Sequence, residues 1–384
     1  MGTVKLYYSN AYISEFDANV LTCEKCDDYY LATLDSTAFF PEEGGQYADT
    51  GTIDGIEVIA VRERGCVIYH TLPSPLSVGS RVHGIINFSE RYEKMQCHTG
   101  EHIVSGIVRE KLGFNNVGFH LGYDDVTIDY DGVITDEQLH EIELEANNAI
   151  YKNIEVKCDF PSDNILKTLD YRSKLELTEN IRIVTIDGYD ICACCAPHVS
   201  RTGEVGIIKL LDKISYKGGV RIHMLCGKRA LVDYGTRYTA TKCISNLLSV
   251  KQTDVVSGVE RVLSEADALK AQLSGLKRSI LAEKISALTS TKDNIIVFED
   301  ILDAGYMREF INKAVNYTEG FAAAFLRKDT DSYTYIIGSK AVDLKLLSQD
   351  MKAELEARGG GSSEMINGTV SRDKEVILEF LNKK

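Results

Sequence analysis

Two pairs of side chains with the same four-residue step constrain this chain more than any other feature: His98-Thr-Gly-Glu-His102 and, far downstream, Cys194-Cys-Ala-Pro-His198. On a helix, positions i and i+4 stack on one face, so His98 and His102 can turn their imidazoles toward one ion. A thiolate from Cys194 and an imidazole from His198 would complete a set of nitrogen and sulfur donors suited to tetrahedral zinc. Each pair alone is a weak signal, because paired helical histidines commonly serve a surface or a core. Together they ask for a fold that brings both segments to one place.

Three thiols crowd the second pair. Cys192 stands farther from His198, and Cys195 points away from its neighbour in an extended segment, so Cys194 is the expected ligand with Cys195 as its rival. Cys23-Glu-Lys-Cys26 has metal or redox spacing but no second pair near it in sequence, and reads as a strand end and turn. In His-x-x-Glu-His, Glu101 is turned about 100° round the helix from each neighbour. It is a candidate catalytic group with solvent exposure as the alternative.

A chain of 384 residues exceeds one core, and roughly 150 residues per domain gives two to three domains. Apolar residues make 44% and charged residues 26%, which excludes a wholly disordered or fibrous chain. The net charge of −14 argues against coating nucleic acid with the whole surface, so any such contact needs a local basic patch. The N-terminus has no apolar signal segment and no long apolar run follows, so neither secretion nor membrane spanning is expected. Ten cysteines in such a chain read as reduced thiols or ligands in the cytoplasm.

The organisation expected is α+β and multidomain. Residues 1–88 alternate in short runs such as Val58–Val61 and Cys66–Tyr69 between turn signals, which suggests a small β-barrel or sandwich. Residues 89–243 mix helix and strand: a helix from Arg91 to Leu112 closed by Gly113, a second from Thr135 to Lys152, then strands near Ile181–Ile186 and Val205–Leu211. From Val259 apolar residues step by three and four to Ile280, weakening at Glu283, so 244–290 is a helical or coiled-coil segment: either a hairpin or dimerisation arm, or an amphipathic helix on its own domain. Gly258 and Gly275 favour a short element there. Residues 291–384 resume with β-like Asn294–Phe298 and Tyr333–Ile337, each followed by a helical pattern, as in a further α/β domain.

At the two metal pairs the sequence resembles the editing domain of alanyl-tRNA synthetase and, more closely, freestanding alanyl-tRNA editing proteins of the AlaX type. Their His-x-x-x-His and Cys-x-x-x-His pairs correspond to His98, His102, Cys194 and His198. Thr37-Ala-Phe-Phe-Pro-Glu-Glu-Gly-Gly-Gln46, through Asp49 and Gly51, is similar to the family's Thr-x-Phe-Tyr-Pro-Glu-x-Gly-Gly-Gln-x-x-Asp-x-Gly loop, with Phe40 in place of Tyr. Cys-Cys-Ala-Pro-His departs from the commoner Cys-Gly-Gly-Thr-His but keeps both donors. Val199–Gly206 and Arg221–Ala230 also look like family segments, and the likeness covers roughly residues 3–235. Arg358–Gly368 resembles, more loosely, the glycine-rich motif of the DHHA1 domain found in longer members.

The resemblance implies a fold of the threonyl/alanyl-tRNA synthetase second-additional-domain type and a long-form editing protein with a DHHA1-like C-terminus. It implies one Zn²⁺ per chain and hydrolysis of the ester of Ser-tRNA(Ala) or Gly-tRNA(Ala), without a preceding aminoacylation domain. Thr37 and Gln46 are then candidates for reading the serine hydroxyl, with Gly44 and Gly45 permitting the turn that brings Gln46 inward. For the RNA, segment 201–243 has nine Lys and Arg against three acids, with Arg221 and Arg229 as candidate contacts and Tyr216 as a stacking guess. Gly360 and Gly361 would let backbone approach a phosphate or base. A homodimer through the helical arm or C-terminal domain fits the seam.

Two other classes compete. A noncatalytic RNA-binding protein with a structural zinc would use all four ligands to saturate the ion. A DHHA1-associated phosphodiesterase would need an Asp-His-His motif that the chain lacks.

Overall fold

A computed structural model describes residues 2–122, 126–173, 181–329 and 332–384. The chain is α+β and divides into two compact units, Met1–Ala240 and Thr241–Lys384. The expected domains 1–88 and 89–243 therefore fall almost wholly within one unit. The helix Gly227–Leu248 runs through the expected boundary at 243 and carries the chain from one unit to the other.

The first part of the N-terminal unit is a seven-stranded antiparallel sheet. Its edge strands, Ile56–Glu57 and Ala60–Arg64, are separated in sequence only by Val58 and Ile59. Two residues span no more than about 10 Å, so the two edges lie side by side and the sheet curls round its contents. The expected barrel is thus a curled sheet with an unpaired seam. Alternation along Glu15–Cys26 turns Phe16, Ala18 and Val20 inward onto Leu34, Phe39, Phe40 and Val61. The parallel pairing of Val4–Lys5 with Ser36–Thr37 fixes Thr37 at the edge of this core.

Beyond it, helix Phe88–Leu112 ends at Gly113, whose φ of +72° and bond to the Arg109 carbonyl make a left-handed C-cap. The Thr135–Gln138 capping box starts helix Asp136–Lys152, which buries Ile142, Ala146, Ala149 and Ile150. A four-stranded antiparallel sheet, Asn116–Leu121, Val126–Tyr130, Gly219–Cys226 and Ile208–Tyr216, packs against both helices. A three-stranded sheet of Val156–Asp159, Ile183–Ile186 and Asp190–Ala193 delivers the chain to Cys194.

In the second unit the seam predicted from Val259 lies on one helix of 32 residues, Val255–Ser286, so the glycines do not shorten it. A Cβ at Gly258 would stand 3.1 Å from Leu248 and 3.3 Å from Val250, so that glycine admits the preceding turn; Gly275 faces open space and costs about 1 kcal/mol that a long helix absorbs. The C-terminal end of the helix packs through Leu281 on Met307 and Phe310. A five-stranded mixed sheet follows, with Ile295–Glu299 parallel to Phe321–Asp329 and the others antiparallel. Phe321, Ala323 and Phe325 face helices Leu344–Leu355 and Lys374–Leu381, while Ala322, Ala324 and Leu326 face Ala304–Ala314, a three-layer α/β/α arrangement. Among the described residues no helix is long and apolar enough to cross a membrane.

Candidate metal centre

Helix Phe88–Leu112 is sunk in the unit, with every residue from Lys94 to Val108 buried. That is why the sequence reading of Glu101 as solvent-facing fails: the helix has no wet side over these turns, and Glu101 is 2% exposed. His98 and His102 project from one face of it, and the loop after strand Asp190–Ala193 brings Cys194 and His198 opposite. One ligand atom from each of the four lies within 4.8 Å of every other.

Cys194 Sγ is 3.4 Å from His98 Nε2 and 3.4 Å from His198 Nε2. Tetrahedral zinc with N and S ligands separates its donors by about 3.3–3.6 Å, so these donors fit the ion. Each outward nitrogen also faces a polar group. His98 Nδ1 is 3.0 Å from Gln46 Oε1, His198 Nδ1 is 3.0 Å from Thr99 Oγ1, and His102 Nδ1 is 2.9 Å from Asp190 Oδ2. This is the shell of partners that orients imidazoles toward a metal.

The electrostatics favour the ligand forms of Cys194 and His198, whereas His102 would have to release a proton on binding a metal. Burial opposes the Cys194 thiolate, but His98 and His198 beside it outweigh that and hold the thiol well below its usual range. Burial pushes His198 down to about 3, a neutral ring able to donate its lone pair. Burial also disfavours charge on His102, yet Asp190, Cys194 and Glu101 raise it to about 10. Cys195 and Cys192 are instead pushed up by burial. The thiol set among the imidazoles is Cys194, while Cys195 Sγ stands 3.6 Å from the Cβ position of Gly44. Arg182 Nη1 donates to the carbonyls of Cys194 and Ala196, both at 2.9 Å, and so shapes the loop in place of glycines.

Gln46 arrives through a two-residue turn. Glu43 and Gln46 exchange backbone bonds of 3.1 and 3.0 Å, and Gly44 and Gly45 between them have φ of +64° and +81°, as a type I′ turn requires. A Cβ on Gly45 would lie 2.1 Å from the Phe119 carbonyl oxygen. Gln46 is buried, and its Nε2 has no hydrogen-bond partner among the described residues. Glu101 accepts from Ser105 Oγ at 2.7 Å and from Asn116 Nδ2 at 2.5 Å, and its Oε2 is 3.7 Å from His102 Nε2.

Thr37 is buried with its hydroxyl committed inside the curled sheet, 2.9 Å from His70 Nε2 and accepting from the Phe39 amide at 3.2 Å. The basic run 201–243 looks different in three dimensions, because carboxylates from other segments face it. Lys209 meets Glu143, Lys213 meets Asp136, and Lys228 and Arg229 meet Glu93. Arg221 holds Asp129 through two bonds of 2.6 and 2.8 Å and lies over the Tyr216 ring, and Arg229 donates to the Gly122 carbonyl and the Tyr47 hydroxyl. Gly360 and Gly361 sit on the edge strand Arg358–Gly361: a Cβ at Gly361 would reach 2.1 Å from the Met365 carbonyl oxygen, whereas one at Gly360 meets nothing within 4 Å.

Asp190, Arg172, Thr99, Arg182 and His70 were not singled out from sequence. Asp190 and Thr99 adjoin the metal pairs and so carried a positional signal. Arg172, Arg182 and His70 carried none, because their partners are distant in the chain.

Residues 181–223 match the family described as threonyl and alanyl tRNA synthetase second additional domain. The chain is 27% identical to the alanyl-tRNA editing protein AlaX-L of Pyrococcus horikoshii over 99% of this chain and 98% of that protein. It is 27% identical to the alanine--tRNA ligase of Ignicoccus hospitalis over 99% of this chain, and 34% identical to that of Halobacterium salinarum over 72% of it. It spans 42% and 32% of the lengths of those two ligases. The chain is thus a homologue, along its whole length, of a freestanding editing protein.

Proposed function

We propose that this chain is a trans-editing aminoacyl-tRNA deacylase that hydrolyses the ester of tRNA(Ala) mischarged with serine, and also with glycine, at a site holding one zinc ion. The reading is carried by one observation: the buried Gln46 Oε1 accepts from His98 Nδ1 while its Nε2 is left without a partner among the described residues, beside the four-donor cluster. A saturated structural zinc site needs no orphaned amide, and a buried donor left unpaired costs about 1–3 kcal/mol, which a substrate polar atom would recover.

His98, His102, Cys194 and His198 would hold the ion, and with one of the four displaced by substrate or water it would supply carbonyl polarisation or an acidified water. Gln46 Nε2 donates to the aminoacyl group. The Glu101 carboxylate, fixed by Ser105 and Asn116, accepts the proton of the attacking water. A serine hydroxyl gives the pocket a partner that alanine cannot, and so can be selected by the groups left unpaired. Thr37 is the second group for this task, and a substrate hydroxyl reaching it must share its Oγ1 with His70.

The acceptor stem would lie along the strands carrying Arg221 and near Arg229, and Gly360 of the C-terminal sheet would admit a phosphate or base. The alternative of a DHHA1-associated phosphodiesterase has no observation in its favour. The test is a deacylation time course with Ser-tRNA(Ala), Gly-tRNA(Ala), Ala-tRNA(Ala) and Ser-tRNA(Ser), with metal analysis of the same preparation. Loss of serine from tRNA(Ala) with Ala-tRNA(Ala) spared is expected. Stoichiometric zinc without hydrolysis would instead support the noncatalytic RNA-binding reading.

A further inference from the structure

We propose that Asp190, locked in place by Arg172, is the positioning residue that presents His102 to the metal, and that the strand Asp190–Ala193 therefore supplies a ligand and a ligand's orienter together. The proposal rests on the zinc reading above. The three imidazoles differ in what faces their outward nitrogens. His98 meets an amide and His198 a hydroxyl, whereas His102 alone meets a carboxylate. That carboxylate is itself clamped, with Arg172 Nε 2.7 Å from Oδ1 and Nη2 2.7 Å from Oδ2. His102, Asp190 and Arg172 are all buried.

Arg172 has little freedom to release its partner. Its backbone amide donates to the Ile191 carbonyl at 2.8 Å, and its carbonyl accepts from Ala193 at 2.8 Å, so it is stitched to the strand that bears Asp190. A single strand thus fixes Asp190 at its start and hands on Cys194 just past its end. Asp190 Oδ2 lies off the line of the His102 Nδ1–H bond, and among the described residues no other group takes that nitrogen. Asp190 is thus the carboxylate set at Nδ1, the side of the ring away from the other three donors, while Glu101 stands 3.7 Å from Nε2.

Asparagine cannot replace this carboxylate. Arg172 donates to both oxygens, so an amide NH₂ in place of either one would face a donor. Glutamate keeps the charge and both acceptors, one methylene farther out. Lysine at 172 keeps a positive charge but loses the planar fork that fixes the carboxylate plane.

The experiment compares the full chain with Asp190→Asn, Asp190→Glu and Arg172→Lys. Zinc affinity is read by competition with a chromophoric chelator, and site geometry by the visible bands of the cobalt(II)-loaded protein. Loss of an outer partner typically weakens metal binding about 10- to 100-fold. That loss is expected for Asp190→Asn, with altered cobalt bands, a partial recovery in Asp190→Glu and an intermediate loss in Arg172→Lys. A folded Asp190→Asn protein with unchanged affinity and bands, and only a lower melting temperature, would reduce Asp190 to a structural ion pair and overturn the proposal. If Asp190→Asn does not fold, unchanged affinity and bands in Arg172→Lys overturn it equally. A wild-type chain that takes up no zinc defeats the underlying zinc reading, and is told apart because the variants then have no affinity to lose.

Discussion

Gln46 Oε1 lies 3.0 Å from His98 Nδ1, so the turn at Gly44–Gly45 and the helix Phe88–Leu112 meet at the same imidazole that faces the metal position. The contact ties a loop of the N-terminal sheet to the metal pair of the neighbouring helix, and leaves Gln46 Nε2 as a buried donor.

Gln46→Ala is expected to slow hydrolysis of Ser-tRNA(Ala) by about 10²-fold, the usual loss when a buried donor to a reacting oxygen is removed. Zinc should be largely retained, because four ligands remain. Single-turnover deacylation with parallel metal analysis checks this, and an unchanged rate would move substrate recognition away from Gln46.

The ligand assignment separates three cysteines. His102→Ala and Cys194→Ala should lower zinc content and deacylation together, while Cys195→Ala and Cys26→Ala should keep both. Full zinc in Cys194→Ala would transfer the thiolate role to Cys195 or Cys192. A strong chelator should abolish activity in the wild type, with recovery on adding zinc.

Gly45 and Gly360 make a controlled pair. At Gly45 the left-handed backbone costs a side chain about 1–2 kcal/mol, and the 2.1 Å approach to the Phe119 oxygen adds to it, so Gly45→Ala should lower the melting temperature and displace Gln46. Gly360→Ala meets no atom and should leave stability within about 0.5 kcal/mol. Thermal melts test both, and weaker tRNA binding by a stable Gly360→Ala protein would support a contact there.

His70 predicts an acid limb of stability. Burial lowers it from 6.5 to about 4, so the native ring stays neutral where the unfolded one has already taken a proton. Between those values the unfolded state binds more protons, so the stabilisation is present above pH 6.5 and drains away as pH falls toward 4, by about 3 kcal/mol in all. Urea unfolding at pH 4.5 and 7.5 should show a smaller pH difference in His70→Gln than in wild type. Equal differences would assign the acid sensitivity to other groups.

Much of the site was legible because its signals are local. The i, i+4 step places His98 and His102 on one helical face wherever that helix lies, the Thr135 and Gly113 caps act within a turn, and Gly44-Gly45 between Glu43 and Gln46 specifies a two-residue turn by its φ requirement alone. The period-two and three-four patterns likewise located strands and the long helix, although single glycines misjudged its length, since propensity is weaker than packing.

Other properties belonged to the tertiary structure. Glu101 is buried because sheets and loops from elsewhere close over every side of its helix, which no feature of residues 98–102 encodes. The basic run 201–243 is faced by Glu93, Asp129, Asp136 and Glu143, acids that only folding brings within reach of a lysine or arginine. Which thiol joins the imidazoles, and which carboxylate stands behind His102, are decided by where a strand ends in space. The sequence by itself determined the donors and their spacing, because bond geometry acts over a few residues. The fold alone decided their charge, burial and partners, because electrostatics and desolvation depend on neighbours far away in the chain.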